Sequence, residues 1–338
     1  MPFGTSPKVP KGIRTMAVRY SNEGVNLMKK TDINFFPGWV RKSISFTIDD
    51  GNLTMDKKFI DIVKKGGIKG TFNIGNFHFD QLSAEGYREF YKGYEIANHV
   101  RLHPLAFKSG VTYTVKDTPR PETAEESNDI YPQNGHEGLY SIVGSRGWRR
   151  IAADDTYIRL TAECSEQIKE VFFDQPALAF VWPYSMQDNP AVFARLKTMG
   201  FYALRKTGAL SDSTNFDLPA DRTAWSYNAG NRSLLTDAKL FRDYPDDGRL
   251  KTFIFGVHSA DFEKSGNWCD LEEFTEQYGG RPQEFWYATN YEIFHYEDAV
   301  KSLQISDNEI DNPSDVAVYI KIDGSPAVIE PHAKLPLA

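Results

Sequence analysis

The chain has 338 residues, a formal net charge of −7 and a hydrophobic share of 41%. This length can form one large α/β domain or two ordinary ones, and the apolar share indicates a globular protein with a sizeable core. No basic block occurs and no apolar run reaches the length of a membrane span, which argues against nucleic acid and membrane as partners.

The N-terminal segment and the cysteines bear on the compartment. Residues 1–41 are mixed in character and contain four prolines, and we interpret them as a lead-in that wraps over the surface. No apolar h-region follows the basic residues near the N-terminus, so the sequence as written predicts a cytoplasmic protein. A secreted chain trimmed after a signal would look the same. Cys164 and Cys269 lie far apart; one disulfide is compatible with them, but two reduced, buried thiols are favoured.

A regular β-α pattern begins at residue 43. Residues 43–48 alternate and end at the turn 49–51, which predicts a strand. Apolar residues at helical spacing follow over 55–63, two glycines close that helix, and residues 70–74 predict the next strand. A β-α-β unit of this kind implies a parallel sheet.

The alternation continues along the chain. Further strands are predicted over 94–97, 177–182, 201–204, 252–257 and 285–288, and further helices over 188–199, 271–278 and 291–303. Repeated β-α units with polar residues at the carboxyl ends of strands favour a barrel, whose functional sites lie at that face.

Two segments depart from this rhythm. Residues 106–158 contain prolines, glycines and a charged run without a clear period, and we interpret them as a long inserted excursion, a lid on the site side. Residues 315–324 alternate strongly and turn at Asp323-Gly324, which predicts a C-terminal β-hairpin. We expect residues 1–310 to form the barrel and residues 311–338 to be a β appendage packed on the same domain.

The chemistry-bearing side chains occur in three distant segments, 47–51, 99–103 and 256–258. Asp49 and Asp50 are adjacent at a strand end, so their side chains point to opposite sides and can take different roles, one binding a metal and one serving as a general base. By itself this Asp-Asp-Gly sequence is a weak signal and favours an ordinary turn stabilised by local hydrogen bonds.

His99 and His103 are four residues apart, a spacing that puts both imidazoles on one face of a helical turn. Two imidazoles and a carboxylate are the three protein ligands of a catalytic zinc-type site, which leaves a position open for water. The alternative is a pair of surface or capping histidines. His258 follows a strongly apolar strand, where it can protonate a leaving group or simply cap a strand end.

A family resemblance rests on four motifs taken together. They are SFTIDDG (45–51), KGTFNIG (69–75), EIANH through His103-Pro104 (95–104) and FVWPY (180–184). Their order resembles that of polysaccharide deacetylases, carbohydrate esterase family 4, and the sequence WYATNYEI (286–293) is similar to a stretch of some members. The resemblance covers roughly residues 43–105 and 160–305. It implies an α/β fold, a distorted (β/α)7 barrel, with a long inserted loop region.

The resemblance also implies residue roles. Asp50, His99 and His103 match the metal triad. Asp49 matches the catalytic base, His258 the general acid, and Tyr184 the position whose backbone N–H stabilises the oxyanion. The implied cofactor is a divalent metal, zinc by default, with cobalt or manganese feasible. Possible substrate-binding residues are Trp182, Pro183, Trp225, which matches an aromatic lining the acetyl pocket, and Arg205.

Two positions depart from the family pattern, and one of them concerns the catalytic base. Val181 occupies the place of an arginine that orients it, and Val100 replaces a Ser or Thr after the first histidine. We expect Arg205, on the next predicted strand, to approach Asp49 instead. The aspartate–tryptophan motif that tunes the acid histidine has no clear counterpart. Trp182, Tyr184, Trp225 and Trp268 are candidates for a sugar-stacking floor, and aromatics within strands favour the core instead.

The sequence therefore predicts a metal-dependent deacetylase that removes N- or O-acetyl groups from a carbohydrate. One alternative is a hydrolase of cyclic amides, imides or ureides on the same fold. A second is a non-catalytic carbohydrate-binding barrel, although binding alone requires neither Asp49 nor His258. The particular carbohydrate and the oligomeric state are left open.

Overall fold

The computed structural model describes residues 30–145, 147–185, 189–210 and 212–337. The predicted lead-in therefore lies largely outside the described residues. The strands are β1 (Thr31–Asp32), β2 (Lys42–Asp49), β3 (Thr71–Ile74), β4 (Glu95–Asn98), β5 (Leu105–Ala106), β6 (Thr114–Val115), β7 (Asp129–Pro132), β8 (Leu139–Gly144), β9 (Gly147–Ala152), β10 (Phe180–Val181), β11 (Leu204–Ala209), β12 (Trp225–Tyr227), β13 (Lys251–His258), β14 (Phe285–Tyr287), β15 (Gln304–Ile305), β16 (Glu309–Asp311), β17 (Val318–Ile322), β18 (Ser325–Ile329) and β19 (Lys334–Pro336). The α-helices are α1 (Leu53–Val63), α2 (Ala84–Phe90), α3 (Asp154–Val171), α4 (Pro190–Lys197), α5 (Leu234–Asp243), α6 (Ser259–Ser265), α7 (Trp268–Tyr278) and α8 (Asn290–Ser302).

A parallel sheet forms the centre of the protein. Its strand order is β12-β11-β10-β4-β3-β2-β13, and β14 pairs in parallel with the start of β2. This confirms the predicted mixed α/β architecture with a parallel sheet. The implied (β/α)7 barrel is not closed by a continuous ladder, because a single bridge, Ala229 to Phe255, joins the chain just past β12 to β13.

The core explains why β2 and α1 form where the sequence predicts them. Every residue of β2 except Lys42 is buried, as expected of a central strand covered on both faces. Phe46 makes edge-to-face contacts with Phe59 of α1 and Phe72 of β3. Gly70 permits this packing, since a Cβ there would lie 2.4 Å from the Phe46 ring.

Several predicted boundaries move. The apolar run 177–182 contributes only the two-residue strand β10, and the strand expected over 201–204 begins at Leu204. The late helices and the strand between them are confirmed as α7, β14 and α8. Helix α8 starts with a capping box, in which Thr289 and Glu292 satisfy each other's backbone N–H groups.

The inserted segment is more regular than predicted. Residues 105–152 form a five-stranded sheet of order β5-β9-β8-β7-β6, and α3 begins at Asp154. Strand β8 alternates buried and partly exposed side chains and pairs with β9 in antiparallel fashion. The short strands and the loops rich in proline and glycine hide this alternation in the sequence, which is why the segment reads as irregular.

The C-terminal strands pack on the main domain. Strands β17 and β18 form an antiparallel hairpin, and Asp323 and Gly324 at its turn both have positive φ, as a type I′ turn requires. Strand β1 extends this hairpin to three strands, and β15, β16 and β19 form a second small sheet. The Trp39 indole donates to the Ile320 carbonyl at 3.0 Å, which ties the hairpin to the region preceding β2.

Both cysteines are free. Cys164 is buried, as expected, whereas Cys269 is exposed at the start of α7, so the prediction of two buried thiols is wrong for Cys269. Within the described ranges, no helix has the length and apolar character that crossing a membrane requires.

Candidate functional site

The predicted site residues meet at the carboxyl edge of the central sheet. Asp49 ends β2, His258 ends β13, and the two are partners in the parallel ladder between these strands. His99 follows β4 directly. The site thus lies at the strand ends, the face at which βα loops build active sites in α/β barrels.

Asp50, His99 and His103 bring potential metal-ligand atoms together. The Asp50 Oδ1 atom lies 3.5 Å from Nε2 of His99 and 3.3 Å from Nε2 of His103, and the two Nε2 atoms are 3.0 Å apart. The Nδ1 atom of His99 lies 2.9 Å from the Val181 carbonyl. If it donates there, the lone pair of Nε2 faces Asp50, as a metal ligand requires.

The backbone between the two histidines differs from the prediction. Residues 99–103 do not form a helical turn, because Val100, Leu102 and His103 have φ of 57°, 65° and 49°. This left-handed conformation is costly for a β-branched residue such as Val100. Side-chain amides support it: Asn98 accepts from the Val100 N–H at 2.9 Å and Asn76 from the Leu102 N–H at 3.0 Å. Neither asparagine is among the residues predicted from sequence.

The electrostatics of this cluster suit a divalent cation. Burial, reinforced by the neighbouring His99, lowers the pKa of His103 to about 4, so its imidazole is neutral at neutral pH. Burial would raise the pKa of Asp50, but the hydrogen bond and charge of His99 outweigh it and hold the pKa well below its usual range. Two imidazole nitrogens and one carboxylate fit zinc and other borderline divalent ions.

Asp49, the residue before Asp50, forms an ion pair with Arg205. Its Oδ1 accepts hydrogen bonds from the Arg205 guanidinium and from the Asn73 amide, the latter at 2.7 Å. Burial opposes ionisation of Asp49, yet the positive charge of Arg205 keeps its pKa below the ordinary value. Arg205 thus approaches Asp49, as expected, but it is fully buried, so its placement on a substrate-binding surface is wrong.

The strand register fixes the face of the sheet from which Arg205 projects toward Asp49. Arg205 is the ladder partner of Val181 on the neighbouring strand, and Val181 occupies the place where the family pattern has an arginine. Partners in a parallel ladder project from the same face of the sheet. Arg205 therefore projects from the same face as a side chain at position 181, although β10, β4 and β3 lie between β11 and β2, and from that face its guanidinium contacts Asp49.

His258 is held by an acidic neighbour. Its Nδ1 lies 2.8 Å from Oδ2 of Asp261, which also accepts from the His258 backbone N–H at 3.2 Å, and its Nε2 is 3.6 Å from Oδ2 of Asp50. The hydrogen bond to Asp261, aided by Asp49 and Asp50 against the effect of burial, raises the pKa of His258 to about 9. Asp261 was not predicted as a site residue, although its position three residues past His258, at a helix start, is a readable signal.

The predicted aromatic floor does not form. Trp182 and Trp225 are almost fully buried in different hydrophobic clusters, and Trp268 packs against Phe262, because each ring fills space between helices and the sheet. Their assignment to an exposed sugar-stacking surface is therefore wrong, whereas the match of Trp225 to an aromatic that lines an acetyl pocket stays a prediction.

Tyr184 does border the cluster. Its ring lies 4.5 Å from the ring of His103, and its backbone has a positive φ of 58°. Pro183, which precedes it, is buried. The Arg149 guanidinium lies 4.7 Å from the centre of the Tyr184 ring, so the inserted sheet reaches the site at this ring.

A pocket of about 580 Å³ lies near the amino-terminal ends of the strands, away from the Asp50, His99 and His103 cluster. Its wall includes Glu95, whose carboxylate is buried and accepts hydrogen bonds from Thr71, Tyr202 and the Tyr291 backbone. This carboxylate is fully satisfied, and strand starts serve stability in α/β barrels. The clustered groups at the carboxyl edge are the better candidate site.

The comparison with protein-family models agrees with the motifs. Residues 40–204 match the family model described as polysaccharide deacetylase. No curated protein matches the chain. Among solved structures, the chain is similar to the polysaccharide deacetylase Bc1974 from Bacillus cereus, with 13% identity, a TM-score of 0.40, and coverage of 75% of this chain and 94% of that one.

Two further solved structures are similar at the same level. The peptidoglycan deacetylase PdaC from Bacillus subtilis shows 15% identity and a TM-score of 0.40 over 77% of this chain and 92% of that one. The chitin deacetylase from the fungal pathogen Colletotrichum lindemuthianum shows 12% identity and a TM-score of 0.39 over 74% of this chain and 85% of that one.

Proposed function

Residues 40–204 of this chain belong to the polysaccharide deacetylase family, and from that premise we propose that the protein is a metal-dependent hydrolase that removes N- or O-acetyl groups from a carbohydrate. The observation that carries the proposal is the cluster of Asp50, His99 and His103, whose candidate ligand atoms all lie within 4.8 Å of one another. A paired carboxylate and a charged histidine lie directly beside it.

The cluster would hold the metal through Asp50 Oδ1 and the two Nε2 atoms. A divalent ion bound by such ligands supplies Lewis acidity, polarising an acyl oxygen and lowering the pKa of water to about 7. Zinc is the first candidate, with cobalt and manganese as alternatives, because imidazole and carboxylate ligands accommodate all three.

Asp49 is assigned the role of general base. Its lowered pKa keeps it ionised at neutral pH, so it can accept the proton of the attacking water as the new C–O bond forms. Arg205 and Asn73 fix the carboxylate by binding Oδ1. Its second oxygen, Oδ2, remains available to the water.

His258 is assigned the role of general acid. With a pKa raised to about 9, its imidazole is protonated at neutral pH and can transfer a proton to the departing amine or alcohol as the acyl bond breaks. Asp261 orients the ring through Nδ1, which leaves the Nε2 proton directed toward Asp50 and the site. We assign to the backbone N–H of Tyr184 the stabilisation of the oxyanion.

The test combines metal content with acetate release from acetylated chito- and xylo-oligosaccharides, with and without a chelator. We expect near-stoichiometric metal and chelator-sensitive release that is lost in Asp50→Ala and kept in Asp307→Ala, an exposed aspartate far along the chain. Bound metal without acetate release, but with turnover of a cyclic imide or ureide, would redirect the assignment to amide chemistry. Absence of metal after reconstitution would overturn the proposal and favour a binding protein.

A further inference from the structure

The inserted segment places three arginines, two on β9 and one in the loop between β6 and β7, at one side of the site. Arg149 lies 4.7 Å above the Tyr184 ring, and Nη1 of Arg150 donates to the Leu102 carbonyl at 3.0 Å, one residue before His103. Arg120, in the loop between β6 and β7, lies 5.0 Å from the centre of the Trp148 ring in β9. Together they line a pocket of about 270 Å³ whose wall also includes His103 and Tyr184.

The pocket is positively charged and lacks internal compensation. No carboxylate is among the residues that line it. Within the ranges that the structure describes, none of these three arginines lies within 4.0 Å of an Asp or Glu oxygen, whereas Arg101, Arg159 and Arg195 each pair with a carboxylate. Three arginines that line one pocket without counter-charges raise the local concentration of anions and attract them.

The remaining wall groups are polar and ordered. Gln133 donates to the Ser141 hydroxyl at 2.6 Å, and Ser141 is the ladder partner of Arg150. The Trp148 ring packs edge-on against Tyr131. Arg149 and Arg150 are therefore presented by the paired strand β9, which fixes their positions better than a loop would, whereas Arg120 lies in the loop between β6 and β7 against the Trp148 ring.

We propose that this pocket binds an oxyanion, a carboxylate or a sulfate, on an acidic acetylated glycan, next to the sugar that is deacetylated. Guanidinium groups bind such anions through paired, charge-assisted hydrogen bonds. Arg149 and His103 both contact the Tyr184 ring, so an anion held here would lie beside the cluster at which the acyl group is proposed to react. The proposal rests on the function proposed above and adds the chemical class of its substrate.

Binding tests the pocket without requiring turnover. The probes are unacetylated trigalacturonate, a sulfated trisaccharide and neutral xylotriose, with affinity measured by calorimetry on the full chain at low and at physiological salt. We expect both or one of the anionic probes to bind at least about tenfold more tightly than xylotriose, with affinity falling as salt rises. The tighter of the two anions identifies the substituent. Equal affinity for all three probes would overturn the proposal.

Variants locate the contact. Arg149→Gln, and Arg120→Gln together with Arg150→Gln, are expected to weaken the anionic probe about tenfold or more and to leave xylotriose unchanged. Arg195→Gln, an exposed arginine on α4 outside the pocket, serves as the matched control and should keep wild-type affinity. Loss in the control to the same extent as in Arg149→Gln would place the anion elsewhere and contradict the assignment.

Turnover separates this inference from the proposed function. Acetate release from acetylated neutral and acidic oligosaccharides should show a higher kcat/KM for the acidic substrate in the wild type, and a loss of that preference in Arg149→Gln. Release from both substrates at equal rates would overturn the anion pocket and keep the deacetylase. Selective binding of the anionic probe without release from either substrate would support the pocket and overturn the deacetylase.

Discussion

Arg205 and Val181 are partners in the ladder between neighbouring strands. Of the two, only Arg205 can form an ion pair with Asp49. Both residues of the ion pair are buried, so removing the guanidinium would leave a carboxylate without a partner in the interior. Breaking a buried ion pair in this way typically costs about 3–5 kcal/mol of stability. The arginine therefore acts as a positioning residue that also keeps the base ionised.

The Arg205–Asp49 pair yields a rescue experiment. Arg205→Val is expected to lower kcat at least about a hundredfold, because Asp49 loses its orientation and its pKa rises. The exchange variant, Val181→Arg with Arg205→Val, should recover part of that loss, since ladder partners project from the same face. Steady-state kinetics and bound-metal content measure both effects. A wild-type kcat in Arg205→Val would contradict the assigned role.

The alkaline limb of the pH profile tests His258 and Asp261. The acid must be protonated, so activity should fall as pH rises through the His258 pKa of about 9. Asp261→Asn removes the largest cause of that raised pKa and should shift the limb toward the ordinary value of 6.5. The measurement is kcat/KM against pH. Glu263→Gln on the same helix is the control and should keep the wild-type pH profile. An alkaline limb at the same pH in Asp261→Asn as in wild type would exclude the pairing of His258 with Asp261.

Asp56 links two elements that border the site. This carboxylate of α1 accepts from the Ser259 hydroxyl of α6 at 2.6 Å and from the Tyr91 hydroxyl at 2.7 Å. Ser259 follows His258 directly, so the contact fixes the start of the helix behind the acid. Burial, the dominant cause, raises the pKa of Asp56 to about 7.

The Asp56 pKa predicts a pH-dependent stability. A carboxyl whose pKa is higher in the folded than in the unfolded protein stabilises fully below its ordinary value of 3.8 and loses that contribution as pH rises through about 7. Asp56→Asn cannot titrate, so wild type should lose about 2.6 kcal/mol relative to it between pH 5 and pH 8. Urea unfolding measures this. The control is Asp61→Asn, exposed on the same helix, whose stability difference from wild type should not change between pH 5 and pH 8. A stability difference between Asp56→Asn and wild type that is independent of pH would refute the linkage.

At the scale of the whole molecule, the site joins segments that only the folded chain brings together. Asp50 follows β2, whereas His99 and His103 come from a strained loop after β4. The unfolded chain has no such cluster. A ligand that binds only the folded state stabilises it by an amount set by its concentration relative to its dissociation constant.

Metal binding should therefore raise the unfolding temperature. At a hundredfold excess over the dissociation constant, the gain is about 2.7 kcal/mol, which corresponds to several degrees. Thermal unfolding with zinc and after chelation measures the shift. His103→Ala should abolish it, and His136→Ala, outside the cluster, should not. An identical melting temperature with and without zinc in the wild type would argue against a metal at this cluster.

Much of the fold was readable because the determining signals are local. Alternation in residues 43–48 and apolar spacing over 55–63 predict β2 and α1, and both form. The inserted sheet was missed because its strands are short and interrupted by loops. The closed barrel was only partly realised, because closure depends on contacts between the two ends of the sheet, which no local pattern encodes.

The sequence by itself determined which residue types stand at the strand ends: the aspartates, the histidine pair and His258, since strand and turn patterns place them there. Tertiary structure alone decided their partners. Asp49 and Arg205 are 156 residues apart, and whether Trp182 faces solvent or core depends on the helices above it. The left-handed loop at residues 99–103 and the arginines beside Tyr184 likewise arise from contacts between distant segments. Composition and spacing describe a residue's neighbours along the chain, whereas charge pairing and burial depend on its neighbours in space.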